Sequence, residues 1–150
     1  MSKLRNPGKD NKLKISKNNE SNCCSDQYLC FSFRYMTKNS NYSLENIKDK
    51  SQRDSIMTGL HTILCELSQK SWQYLIQQPK SSGLETINYD QIRFSPSIGS
   101  NLTKESKLYV FRFNTHRGQK EGRIIGYKSS PCAVYNIIGF DIDYSAYEHG

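Results

Sequence analysis

The last third of the chain constrains the fold most. Leu108–Phe113, Arg123–Tyr127 and Ala133–Tyr144 are three runs rich in Tyr, Phe, Val and Ile. These residue types suit a pleated, half-buried surface. Between the runs lie residues 114–122, with Gly118 and Gly122, and the segment Ser129–Pro131. Connections this short and this rich in turn formers join antiparallel neighbours. The three runs therefore predict an antiparallel meander, the third strand being long enough to bend at Gly139.

Upstream, the period changes. Over Tyr28–Met36, Phe31, Phe33 and Tyr35 alternate with Cys30, Ser32, Arg34 and Met36, which predicts a strand. A polar stretch at 37–42 reads as a loop. Ser43–Gln69 has helical character: Ile56, Leu60, Ile63, Leu64 and Leu67 recur at three- and four-residue steps and make one apolar stripe. Ser51 with Asp54 resembles a capping box. A second, short helix is expected over Ser71–Gln78, carrying Trp72, Leu75 and Ile76 and ended by Pro79. Strand, helix, helix, then meander predicts an α+β domain with its helices packed on one face of a single small antiparallel sheet.

Residues 1–26 are rich in Lys, Asn and Ser and have almost no bulky side chains. They cannot bury enough surface to offset the entropy of ordering, so a disordered basic tail at 1–26 is expected before one domain over 27–150. No run of eighteen apolar residues occurs, so no membrane span is expected. The N-terminal Met1–Arg5 leads into no apolar segment, so no secretory signal is expected either. The five cysteines, Cys23, Cys24, Cys30, Cys65 and Cys132, are odd in number and irregular in spacing. That argues against a disulfide framework and for a reduced, cytoplasmic setting. No second CxxC or nearby histidine completes a tetrahedral set with Cys23, Cys24 and Cys30, so no metal site is expected.

The net charge of +7 is unevenly placed. Residues 1–22 carry +4, from six basic residues against Asp10 and Glu20. Residues 104–128 carry +5, with Lys104, Lys107, Arg112, Arg117, Lys120, Arg123 and Lys128 against Glu105 and Glu121. The remainder is slightly acidic. Clustered positive charge favours a polyanionic partner, although in the tail it serves solubility equally well.

Two of these cations stand inside strands. By alternation Arg112 shares a face with Leu108 and Val110, and Arg123 shares one with Ile125 and Tyr127. An arginine among apolar neighbours needs an anion. Asp141, Asp143 or Glu85 would supply one internally; a bound phosphate would supply one from outside, matched to the planar guanidinium. Both readings stay open. The segment Pro79–Glu85 leaves the short helix with Lys80 and Glu85 around Gly83, and it reads either as a substrate-presenting loop or as an ordinary helix exit. His61 is a boundary residue of the helix. His116 and His149 have the chemistry for proton transfer near neutral pH. No catalytic triad order, phosphate-binding glycine loop or paired-carboxylate signature occurs.

Three segments together resemble a known family. Leu108–Phe113 with Arg112, Gly122–Tyr127 with Arg123, and Tyr135–Tyr144 closing in Asp141 and Asp143, with Tyr147 and His149 beyond, are similar to the sheet half of the RelE/ParE superfamily of toxins. The helices ending at Trp72 and Pro79–Lys80 suit that family's helical hairpin. The resemblance implies a small antiparallel sheet with a helical hairpin on one face. It also implies metal-free, cofactor-free cleavage of mRNA, with RNA or the ribosome as target and a cognate antitoxin as partner. Carried over, Arg112 and Arg123 would clamp the scissile phosphate, and Lys80 would add a basic contact. Tyr127 or His149 would transfer protons or stack on a base. Lys120, Arg117, Lys128 and Glu85 would contact substrate. The tail is longer than the family's, the helical region is long, and the family's usual cluster of helix lysines is missing. Two alternatives stand beside this endoribonuclease: a non-catalytic nucleic-acid or ribosome binder, and a gyrase-type protein-interaction inhibitor, since one fold serves several activities.

Overall fold

The computed structural model describes residues 28–80, 84–115, 121–130 and 132–148; the tail expected at 1–26 lies outside them. The meander is present as β3 (Lys107–Asn114), β4 (Glu121–Ser129) and β5 (Val134–Asp141). In β3–β4 the register sets Val110 opposite Ile125 and Arg112 opposite Arg123. Between β4 and β5 the register shifts at Ile125/Gly126, an irregularity that lies beside Gly139.

Two more strands extend it. β2 (Leu84–Asn88) pairs antiparallel with β3, and β1 (Cys30–Ser32) pairs parallel with β5, giving the order β1-β5-β4-β3-β2. The sheet is therefore mixed at one edge. β1 is shorter than the alternation over Tyr28–Met36 suggests. The chain turns after Phe33, whose carbonyl accepts from the Met36 N–H at 3.1 Å, and Thr37 N–H then rejoins the sheet at the Ile138 carbonyl, 2.8 Å away. β2 includes Glu85, in the stretch read as a helix-exit loop.

Helix α1 (Lys50–Ser68) starts later than Ser43, and its cap is Asp49 rather than Ser51. The Asp49 carboxylate accepts the Gln52 N–H at 2.7 Å. Upstream of it Leu44 has φ 65°, a left-handed conformation that keeps the preceding stretch out of the helix. The stripe faces the sheet as its spacing requires: Ile56, Leu60 and Leu67 are buried, and Ile63 and Leu64 pack partly buried beside them. Short α2 (Trp72–Ile76), capped by Ser71, adds Trp72 and Leu75. Together they cover Phe111, Phe113, Ile124, Tyr135, Ile137 and Phe140. α1 lies so close to β3 that a Cβ at Gly59 would collide with the Asn114 carbonyl.

The opposite face is covered too, by irregular chain. Tyr42, Phe94, Ala146 and Tyr147 close over Ile87, Leu108, Val110, Ile125 and Ile138. Tyr42 and Phe94 stack with ring centroids 4.6 Å apart. Phe94 fits over Gly139, where any Cβ would come within 2.5 Å of its ring. Among the described residues no helix is long and apolar enough to cross a membrane. Cys30 and Cys65 are free surface thiols, but Cys132 is disulfide-bonded, which departs from the expectation of a fully reduced chain.

Candidate functional site

The two strand arginines are direct cross-strand partners on the irregularly covered face, yet their surroundings differ sharply. Arg123 is 3% exposed, and its Nη1 lies 3.4 Å from Oδ2 of Asp141, which is fully buried. Its guanidinium is stacked under Tyr144, 3.9 Å from the ring centroid, and lies 5.1 Å from that of Tyr147. Tyr144 accepts a left-handed φ of 62° in the segment that covers Arg123. Arg112 is 42% exposed and lies 3.5 Å from Oε2 of Glu85, the atom that also accepts the Tyr147 hydroxyl at 3.0 Å. The Tyr144 hydroxyl donates to Glu121 at 3.1 Å.

Each of the two arginines thus has a carboxylate beside it. Asp141 also accepts the Ser145 N–H at 3.0 Å, which fixes the turn that carries the tyrosines back over the sheet. Burial pushes the Asp141 carboxyl above its ordinary range, against the opposing pull of the Ser145 and Ala146 N–H groups and the Arg123 guanidinium. Burial likewise raises the Tyr147 hydroxyl, and its hydrogen bond to Glu85 adds to the shift while Arg123 opposes it. Arg112 is answered by Glu85 and Arg123 by Asp141, while Glu121 accepts from Tyr144. Of the two partner types open to these arginines, the structure places internal carboxylates beside both.

The other expected site residues are dispersed. Lys80 is exposed beyond the end of α2. Tyr127 shares the face of Arg123, but four residues along a strand set it about 13 Å away. There its ring lies 6.1 Å from that of Tyr35, and burial raises its hydroxyl pKa. Arg117, Lys120 and His149 lie outside the described residues.

Lys128 points to the helix side instead, and there a second cluster forms. Its Nζ lies 5.8 Å from the Trp72 ring centroid, and Trp72 meets Tyr109 edge-on at 4.6 Å. Lys70 Nζ lies 5.9 Å from the Tyr74 ring. Lys107 is exposed two residues before Tyr109 on the same face of β3. Tyr28, bridged to Ser71, and Tyr74 are 67% and 50% exposed. Lys70, Tyr74, Leu75 and Arg112 line a groove of about 270 Å³ between the helices and β2–β3, with Glu66 as its acidic member. Sequence reading missed this ledge because its members come from the α1–α2 junction and from two strand positions, which share no local pattern.

Comparison with family models, with curated proteins and with solved structures returns no match in any of the three.

Proposed function

We propose that the chain is a nucleic-acid-binding protein that holds single-stranded RNA without cutting it. The observation that carries this reading is the ledge of Lys70, Lys107 and Lys128 beside the exposed rings of Tyr28 and Tyr74, with Lys128 seated over the buried Trp72. Lysines neutralise a phosphate backbone as point charges, and the exposed rings of Tyr28 and Tyr74 offer stacking surface to unpaired bases. The arginine cluster supports the non-cleaving half of the reading: a guanidinium buried against Asp141 and roofed by Tyr144 is closed to a scissile phosphate.

The test is fluorescence anisotropy with a labelled single-stranded RNA at low and moderate salt, followed by a gel of the same RNA. Binding that weakens with salt, about tenfold weaker for Lys107→Glu and Lys128→Glu, with the RNA left intact, is the expected result. No binding at low salt would overturn it. One specific observation favours a second reading, the metal-free endoribonuclease countered by an antitoxin: Arg112 and Arg123 do stand opposite one another on neighbouring strands. In that reading the roofing tyrosines must move aside, and the RNA on the gel would be cut in an Arg112-dependent way.

A further inference from the structure

The face of α1 turned away from the sheet carries a second kind of chemistry. His61 and Cys65 are four residues apart, both exposed, with His61 Nε2 and Cys65 Sγ 3.7 Å apart. One helical turn is the spacing at which two ligands on a helix grip one metal ion. Zinc bonds of about 2.3 Å to sulfur and about 2.05 Å to nitrogen, opened to the tetrahedral angle, put the two donors about 3.6 Å apart. The observed separation matches that edge. The backbone beneath is held, because Ile56, Leu60 and Leu67 anchor the other side of α1 in the core. The neighbouring hydroxyls are turned away: Thr58 donates to the Asp54 carbonyl at 2.8 Å and Thr62 to the Thr58 carbonyl at 3.0 Å.

We propose that His61 and Cys65 form a two-point site for a thiophilic divalent cation of the zinc class. On binding, Cys65 gives its thiol proton to solvent and ligates as thiolate, while His61 ligates through Nε2 with its remaining proton on Nδ1. Among the described residues no third His, Cys, Asp or Glu joins the pair, so the site is proposed with these two protein ligands. Cys30 is the internal comparison: it is also an exposed free thiol, but its Sγ faces the Tyr28 carbonyl at 3.9 Å and not an imidazole.

The experiment alkylates the folded full-length chain with iodoacetamide across a zinc chloride titration and follows Cys65 and Cys30 separately by peptide mass spectrometry. Zinc is expected to slow Cys65 about tenfold while leaving Cys30 unaffected, and His61→Ala to move the zinc midpoint about tenfold higher. His61→Gln, which keeps a polar side chain, should behave like His61→Ala. Circular dichroism confirms that both variants are folded. Cadmium, read by thiolate-to-metal absorption, should show a tightest-binding phase of one ion per chain that Cys65→Ser and His61→Ala remove and Cys30→Ser does not. Equal protection of Cys65 with and without His61, or no protection at all, overturns the site and leaves an ordinary S–H···N contact on a solvated helix.

Discussion

The two faces of the sheet are buried to a similar depth by different means. On one, α1 lays a continuous stripe across the strands, each apolar residue one turn from the next. On the other, isolated anchors do the covering: Tyr42 from one turn, Phe94 from a loop, and Ala146 and Tyr147 from the segment after β5. A helix distributes its burial over many moderate contacts. An irregular cover concentrates it in a few aromatic rings and then needs polar contacts to hold the chain between them. The Ser145 N–H bond to Asp141, the Tyr147 bond to Glu85 and the Arg93 N–H bond to the Ala146 carbonyl, 2.8 Å, are those contacts. The arginine cluster belongs to this second kind of cover, with a carboxylate beside each guanidinium.

The largest test of that difference is Arg123→Ala. It leaves Asp141 buried without its counter-ion, and should cost about 3–5 kcal/mol in urea unfolding, as broken buried pairs do. Full stability in this variant would detach the arginine from the cover. Next come one truncation on each face. Phe94→Ala should cost about 3–5 kcal/mol, and Leu60→Ala roughly 2–5 kcal/mol. The comparison predicts different spreads: Phe94→Ala should also loosen residues 142–148 to hydrogen exchange, whereas Leu60→Ala should lower protection evenly along α1. Similar exchange patterns in the two variants would erase the distinction.

A smaller effect concerns Tyr135, which is fully buried on the helix side and donates to the Tyr109 and Ile124 carbonyls at 2.6 and 3.2 Å. Tyr135→Phe should cost about 1 kcal/mol at neutral pH. Burial raises its pKa well above the ordinary tyrosine value, because a phenolate there would be cut off from water. The folded state therefore keeps a proton that the unfolded state loses. Stability from this residue is complete below the ordinary tyrosine pKa and declines as pH rises above it. A thermal midpoint that falls above about pH 10, less steeply in Tyr135→Phe, is the expected result. The smallest effect is Arg112→Ala, below about 1 kcal/mol, because the Glu85 pair is screened by solvent. A large loss there would mean that both arginines are structural members of one unit.

The same contrast explains what could be read from the sequence. The stripe Ile56–Leu67 and the runs of β3, β4 and β5 are periodic, and periodicity survives in a string of letters. β2 escaped because its two buried residues, Leu84 and Ile87, point to opposite faces, so no alternation is visible beside Pro79 and Gly83. The parallel edge strand β1 was legible as a strand but not in its pairing, which joins Cys30 to Val134 across most of the chain. At the candidate site, alternation placed Arg112 and Arg123 on the strands correctly, and Asp141 and Glu85 stood among the expected internal partners. The roof of Tyr144 and Tyr147 follows from a turn fixed by Asp141, a tertiary contact with no local signature. The lysine ledge is of the same sort.

Gly59 carries a last consequence. Its bare backbone is what lets α1 approach β3, yet glycine inside a helix is about 1 kcal/mol worse than alanine, and Ile56, Thr58, Thr62 and Ile63 add branched side chains around it. The segment 50–68 is thus a weak helix former in isolation, and a synthetic peptide of it should give a coil-like circular dichroism spectrum in water. Its helicity is lent by the surface it lies on. Without the sheet beneath it the helix gains little by forming, so α1 is expected to be lost together with the meander when the domain is melted.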